Sequence, residues 1–481
     1  MEETQSINQN NKLINIGKKA FISVFALLFL LIVVSIVLTY VLPKGQYGTV
    51  EIDGKIQEDY QTYIRLENQS GINIFKGLLS PFLILGTSDG INLIVLSIFL
   101  LVISGAFQAM NDCGGIKVFV NKIIRRFKEK RFLLLAIIAL FFMLFGAILG
   151  LFEEMLTLLP IIAILTVSLG YDSFTGFLVS IAACGFGFSS AITNPFTVIF
   201  ASKIIDVNPM INIWYRIIIF IVMYGLLLLY VYLHTKRVLK KPENSITYQN
   251  DQIIKNEIFK DEVIENENKI SITYTIFLTS ALLCTIIFSS ISAIRDYSVV
   301  ALIVIFLFGG FISSLIATNK DFKKTSKSYL SGILAALPSI IFILMASSIK
   351  YILVEGKILP TISNEINNVV QSGNIYYVSI ILFAIILVLE FFISSSTAKA
   401  VFVMSILSVL SLGISKEMQV LIYTFADGYT NLLFPTSPVL LIGLSMIGVS
   451  YFKWLKKSWP LFLATFALVI LFIVLGIFIA Y

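Results

Sequence analysis

A chain of 481 residues that is 58% hydrophobic and only 13% charged, with a mean hydropathy of +0.93, is too apolar to be a water-soluble domain and identifies a polytopic membrane protein. The formal charge of +7 sits largely in short loops, where it reads as a topology signal and gives nucleic acid no role as a partner. Three dispersed cysteines (Cys113, Cys184, Cys284) and a lone histidine (His234) supply neither a paired-cysteine redox or metal motif nor a histidine-based triad, which argues against an enzyme and against a bound metal.

Taken in chain order, residues 1–20 read as a cytoplasmic N-terminus. Lys18 and Lys19 then precede Phe21–Leu42, whose 22 mostly apolar residues make about 33 Å of helix, enough for an uncleaved first span. The stretch 43–75 mixes Lys44, Lys55 and Arg65 with Glu51, Asp53, Glu58, Asp59 and Glu67, and is expected outside. Apolar segments follow at 91–111, 133–152, 155–169, 174–192, 196–205 and 212–233. Residues 235–270, rich in Asn, Glu and Lys, read as a flexible cytoplasmic linker. Beyond it lie segments at 271–294, 298–317, 329–353, 376–393, 399–413, 418–433, 438–452 and 459–480. Basic clusters at Lys117–Arg131, Lys236–Lys241, Lys320–Lys327 and Lys453–Lys457 mark cytoplasmic loops. The reading is therefore a first membrane repeat at 21–234 and a second at 271–481, in the cell inner membrane, with the C-terminus outside.

The halves align under one shift. Laying "SLG" at 168–170 on "SLG" at 411–413, an offset of 243, also places Asn194-Pro195 on Ser437-Pro438, 133–152 on 376–395 and 91–111 on 334–354. The segment before 133 is basic, whereas 354–375 has only Lys357 against Glu355 and Glu365, so the second half should enter from outside. An all-α polytopic fold of two inverted repeats, as in secondary transporters, is expected. Each of 133–169 and 376–413 is either two full spans or a re-entrant hairpin; arms of about 15 residues at 155–169 and 399–413 fall short of the roughly 20 needed to cross and favour the hairpin.

Two polar breaks interrupt apolar runs. In "SSAITNPFTVIF" (189–200), Pro195 removes a backbone donor and disfavours helical geometry at Asn194. Non-helical backbone at membrane depth is tolerated where it is buried in protein or lines a watery cavity, so Ala191–Thr197, with Thr193, Asn194, Pro195 and Thr197, is a candidate binding segment. The second break, Phe434-Pro435-Thr436-Ser437-Pro438, is preceded by Asp427, Gly428, Thr430 and Asn431, and helix N-termini there favour a carboxylate. The plainer alternative is that Pro195, Pro435 and Pro438 only kink helices that neighbouring hydroxyls repair.

The order of hairpin tip, "SLG" and polar-proline break, given twice, resembles the ion transporter superfamily. "FEEMLTLLPIIAILTVSLGYDSFTG" with "SSAITNPFTV" is most similar to its YfcC-like branch, grouped with the anaerobic four-carbon dicarboxylate carriers. The resemblance implies a scaffold part and a moving transport part, a homodimer and an elevator-type motion. In the divalent anion and sodium symporters of that superfamily each hairpin tip carries a Ser-Asn-Thr triplet that binds substrate carboxylate. Ser395-Ser396-Thr397 resembles it with Ser for Asn, whereas the first tip departs from it with Glu153 and Glu154. Asn194, Pro195, Thr197, Thr436, Ser437 and Pro438 carry over more directly.

These residues lean toward a substrate of both charge signs. Ser395, Ser396, Thr397 and a helix N-terminus suit an α-carboxylate, and Glu153 or Glu154 suits an ammonium or guanidinium, so a basic amino acid, exchanged or ion-coupled, leads. A C4-dicarboxylate or other small organic acid is the rival, with Lys399 able to neutralise a carboxylate, to stand in for a coupling cation or to pair with Glu390. Glu153, Glu154, Asp427, Asn431 and Lys399 are the candidate groups for coupling to Na⁺ or H⁺, and no other cofactor is implied. A passive channel lacks a pore-lining charged ring.

Overall fold

The computed structural model describes residues 18–52, 55–67, 70–118, 122, 130–258, 267–291, 294, 297–361, 364, 374–392, 399, 400, 403, 404, 407, 414–479 and 481. The Ser395-Ser396-Thr397 tip, most of 399–413 and the second "SLG" lie outside them. Within the described residues six helices are long and apolar enough to cross a membrane: Leu93–Asp112, Arg131–Leu149, Ile213–Lys240, Val299–Ala317, Phe322–Glu355 and Tyr451–Phe478.

Helix α1 (Lys18–Val41) leads into a β-hairpin, β1 (Lys44–Ile52) and β2 (Lys55–Leu66), paired antiparallel from Lys44 against Leu66 to Ile52 against Lys55. The expected outer loop is thus a two-stranded hairpin on a fold that is otherwise helical among the described residues, as the all-α polytopic reading expects. Tyr47, Val50, Ile52, Ile56, Tyr60 and Ile64 favour a pleated surface, and Gly45 N–H donates to the Lys357 carbonyl at 3.0 Å, fastening the hairpin to the helix end at 355.

The helices sort into two groups. In the first, α2 (Ser88–Asp112) packs along α13 (Phe322–Glu355), which also lies on α1; α10 (Glu267–Ser290), α11 (Ser298–Val304) and α12 (Phe311–Ala317) complete it. The second holds α3 (Arg131–Leu144), α4 (Leu159–Ser168), α5 (Ser173–Phe177), α6 (Ala183–Ser189), α7 (Phe200–Ile204) and α8 (Ile213–Lys240). From the other half of the chain it adds α14 (Ile375–Phe392), α15 (Lys416–Leu433), α16 (Pro438–Met446) and α17 (Tyr451–Phe478). Contact between the groups includes α13 against α14 and α16, and α10 against the turn at Phe145–Leu149.

The stretch 133–169 folds as a hairpin. Its uninterrupted apolar first arm continues from α3 through a π-helical turn at Phe145–Leu149 and stops at Gly150, whose φ of +71° is disfavoured for any residue with a Cβ. A 3₁₀ turn at Glu154–Thr157 then starts a return arm whose helix α4, ten residues and about 15 Å long, is half the hydrocarbon thickness. The Arg131 guanidinium donates to the Leu169 carbonyl at 3.0 Å, so the hairpin ends where it began.

The repeat is visible in the caps. Asp172 and Ser415 cap α5 and α15, Asn194 and Ser437 cap the helices after the two breaks, and each pair is 243 residues apart. The equivalent helices α6 and α15 run antiparallel: Gly185 faces Leu432, while Ser189 meets Gly428 and donates to the Phe425 carbonyl at 3.4 Å. A Cβ on Gly428 would collide with the Ser189 backbone, so the two helices touch main chain to main chain.

The described part of the linker is folded. A 3₁₀ turn at Pro242–Asn244 and helix α9 (Tyr248–Ile258) dock with Ser245, Thr247 and Asp251 buried, because Ser245 and Asp251 find polar partners at the start of α5 and Thr247 bonds both of them.

Candidate functional site

The two breaks lie at the ends of the antiparallel pair α6 and α15. In the first, Asn194 is fully buried and every polar atom of its side chain is used: Oδ1 accepts the N–H groups of Phe196 (2.9 Å) and Thr197 (3.3 Å), and Nδ2 donates to the Gly146 carbonyl at 2.9 Å. The N–H groups of Ile192 and Thr193 both donate to the Ala147 carbonyl, at 3.0 and 3.2 Å. The Asn-Pro sequence therefore opens the helix, and the π-helical turn of the first hairpin repairs it. The Thr197 hydroxyl, fully buried, has no partner among the described residues.

The second break is held more loosely. Ser437 caps α16 through Leu440 N–H at 3.4 Å, Thr436 is buried, and Asn431 is half-buried in the last turn of α15. Proline at 438 is the first residue of the new helix, where its missing N–H costs nothing.

Beside that break lies a buried ion cluster. Lys399 Nζ sits 2.8 Å from Oε2 of Glu390 and 2.5 Å from Oδ1 of Asp427, with side-chain exposures of 2%, 0% and 0%. The Thr430 hydroxyl is 2.8 Å from the same Glu390 oxygen, and Oε1 of Glu390 has no partner among the described residues. Tyr423, one helical turn before Asp427 and fully buried, feels both carboxylates. Glu153 lies close enough to Asp427 for their charges to interact, and Cys184 feels both Glu153 and Glu154, so the first tip, the first broken helix and α15 converge.

The structure thus brings together Glu153, Glu154, Asp427 and Lys399 around the breaks that hold Asn194 and Ser437. Around them four carboxyl groups, with Glu390, meet one ammonium among the described residues. Sequence reasoning raised Glu390 only as a partner for Lys399 and missed Tyr423; an acidic residue alone inside the apolar run 376–393 was the available signal for the first.

Several known proteins are similar to this chain. The "Putative basic amino acid antiporter YfcC" of Escherichia coli (strain K12) is 25% identical over 467 residues, covering 89% of this chain and 91% of that protein. An uncharacterized protein of Haemophilus influenzae is 22% identical over 495 residues, covering 92% and 94%. Among solved structures, the YdaH transporter of Alcanivorax borkumensis superposes with a TM-score of 0.43 at 16% identity over 96% of this chain and 98% of that one. MtrF of Neisseria gonorrhoeae, described with a class of antimetabolite efflux pumps, gives 0.45 at 15% identity over 93% and 94%. A family model described as C4-dicarboxylate anaerobic carrier, DcuC, matches residues 21–478, and the chain belongs to this family of membrane transporters.

Proposed function

We propose that the protein is a secondary active transporter of a small amino acid, with a basic amino acid of the arginine or ornithine kind as substrate, working by exchange or by coupling to Na⁺ or H⁺. The observation that carries this reading is the charge balance at the breaks. Lys399, the cation a dicarboxylate would need, is already paired with Glu390 and Asp427, while Glu153 and Glu154 place two further carboxyl groups nearby. Burying surplus carboxylate is costly unless a cation accompanies it, and a guanidinium or ammonium supplies one. The substrate α-carboxylate then belongs at the second break, with Thr436, Ser437 and the start of α16, and at the Ser395-Ser396-Thr397 tip; at the first break the N–H groups of Phe196 and Thr197 are already taken by Asn194. The name of the Escherichia coli relative agrees with this substrate class.

The competing reading is a C4-dicarboxylate carrier, which the family description favours. It requires Lys399 to leave at least one of its two carboxylates.

The rest of the scheme is proposed on the same footing. The α1, α2 and α10–α13 group serves as scaffold, with a homodimer formed through it, and the group holding both breaks moves past it in elevator fashion. Antiparallel α6 and α15 support inverted repeats. We assign the face gathering Lys236, Arg237, Lys457 and the linker to the cytoplasm by its basic residues, with the N-terminus inside and Tyr481, bonded to Arg216 and Ser415 at the opposite end, outside the inner membrane.

The test is uptake of labelled arginine into proteoliposomes preloaded with ornithine, with empty vesicles and external succinate as controls. Uptake that needs internal ornithine and ignores succinate supports basic amino acid exchange. Succinate uptake without arginine uptake in the same preparation overturns it in favour of the dicarboxylate.

A further inference from the structure

The segment joining the two halves carries a buried polar chain that the transport site does not use. His234 Nε2 lies 3.0 Å from Oδ2 of Asp172, the Ser245 hydroxyl donates to that oxygen at 2.6 Å, the Ser245 and Thr247 hydroxyl oxygens are 2.9 Å apart, and Thr247 reaches Oδ2 of Asp251 at 2.7 Å. All five side chains are buried. The chain connects the cap of α5, the end of α8 and the docked helix α9. From α9, Asp251 Oδ1 also accepts Ser173 N–H at 3.2 Å, and Asn250 donates to the Ile447 carbonyl at 3.1 Å. The docked segment therefore grips the base of the broken helix in one repeat and the end of α16 in the other.

Counting hydrogens shows what this chain lacks. Three O···O contacts separate the Asp172 and Asp251 carboxyls, and two hydroxyls supply one hydrogen each. With both carboxyls ionised, Ser245 points to Asp172, Thr247 points to Asp251, and the 2.9 Å contact between the hydroxyls holds no hydrogen. One further proton, on Asp251, lets every O–H turn the same way and fills all three contacts.

The surroundings choose which end takes it. Asp172 accepts the N–H and hydroxyl of Thr175 at 2.8 and 2.5 Å; burial pushes its carboxyl up, but the charge and hydrogen bond of His234, with Ser245 and Thr175, outweigh burial and hold it at about 2. Lys457 and Tyr230 also face Asp172, and Arg237 stands beside them. Asp251 is pushed up to about 6 by burial, against its hydrogen bonds from Ser173 and Thr247 and with the negative charge of Asp172 adding to the rise. Helix α4, packed on α9, contributes no ionisable side chain over Leu159–Ser168; on the docked segment itself Glu243 is exposed and Lys255 half-buried.

We propose that the Asp172–Ser245–Thr247–Asp251 chain is a one-proton binding site that latches residues 242–258 onto the transport group, so that acidification of this face tightens the latch. Sign and size follow from linkage. Docking raises the Asp251 carboxyl from its ordinary 3.8 to about 6, so the docked form gains the proton; its advantage is complete below the ordinary value and lost as pH rises through the docked one. Between about pH 7.5 and about pH 5 the docked-to-released ratio grows about tenfold.

Hydrogen–deuterium exchange of the full-length protein in nanodiscs, at about pH 5 and about pH 7.5 with times corrected for intrinsic exchange, reads this directly in peptides covering 242–258 and does not depend on the substrate. Wild type should show about tenfold greater protection in acid. In Asp251→Asn the amide donates to Thr247 permanently, and protection should be high at both pH values. Equal wild-type protection at the two pH values, or an undiminished tenfold change in Asp251→Asn, overturns the proposal.

Discussion

Lys399→Met keeps the length and apolar stem of the side chain and deletes one charge. The ammonium it removes lies 2.8 Å from Glu390 and 2.5 Å from Asp427, both fully buried. An exposed pair would be worth at most about 1 kcal/mol, but removing one partner of a buried pair costs about 3–5 kcal/mol because a charge is left without compensation. Here one ammonium serves two carboxylates, so the loss should fall at the upper end of about 3–5 kcal/mol and should be partly recovered in acid, where protonating one carboxyl removes the stranded charge. The triple variant Lys399→Met, Glu390→Gln, Asp427→Asn removes all three charges together and leaves only neutral polar groups, so it should recover much of the stability that the single variant loses. Thermal loss of the monodisperse peak in size-exclusion chromatography, followed in detergent across mildly acidic to neutral pH, ranks the three proteins. A single variant as stable as wild type, or a triple variant less stable than the single one, refutes the reasoning.

The same cluster separates stability from transport: the triple variant should fold and yet take up no arginine in the proteoliposome assay, and full uptake would dissociate the cluster from the substrate path. Glu153→Gln with Glu154→Gln should weaken arginine uptake by tenfold or more, roughly the loss of one charge-assisted hydrogen bond of about 1.5–3 kcal/mol, while leaving the melting temperature within a few degrees. Asn194→Ala leaves the Gly146 carbonyl and the N–H groups of Phe196 and Thr197 buried without partners, for about 3 kcal/mol or more, readable as lost monodispersity. Gly428→Ala should part α6 from α15 and depress both folding yield and transport, whereas alanine at Gly225, which has open space around it, should change neither.

Much of this fold could be read from hydrophobicity and proline alone. The shift of 243 found from a three-letter match and two prolines places N-caps on N-caps at Asp172 with Ser415 and at Asn194 with Ser437, because the same local chemistry must end the same backbone interruption in both halves. The linker was less legible. Its Asn, Glu and Lys content suggests a solvated coil, and only the fold reveals that Ser245 meets Asp172 and Asp251 meets Ser173, 73 and 78 positions away. The β-hairpin is hard to foresee for a related reason: acidic and basic residues of both signs are spread through 43–75, and its Tyr, Val and Ile residues favour strands without a regular alternation. At the site, apolar context flagged Asp427 and Lys399 individually, but that one ammonium answers two carboxylates is a fact of three-dimensional proximity.

The caps of the two breaks share an ancestry of position and differ in what they demand of a side chain. Position 194 must accept two N–H groups and donate to the Gly146 carbonyl at once, which only a short amide does: aspartate lacks the donor, and serine lacks the second polar atom. Position 437 merely accepts one distant N–H, a task that Thr, Asn or Asp performs as well as Ser. A duplicated module has in this way become a fixed abutment on one side and an adjustable seat on the other, and substitutions that retune substrate choice have room to accumulate in the second half while the first holds its shape.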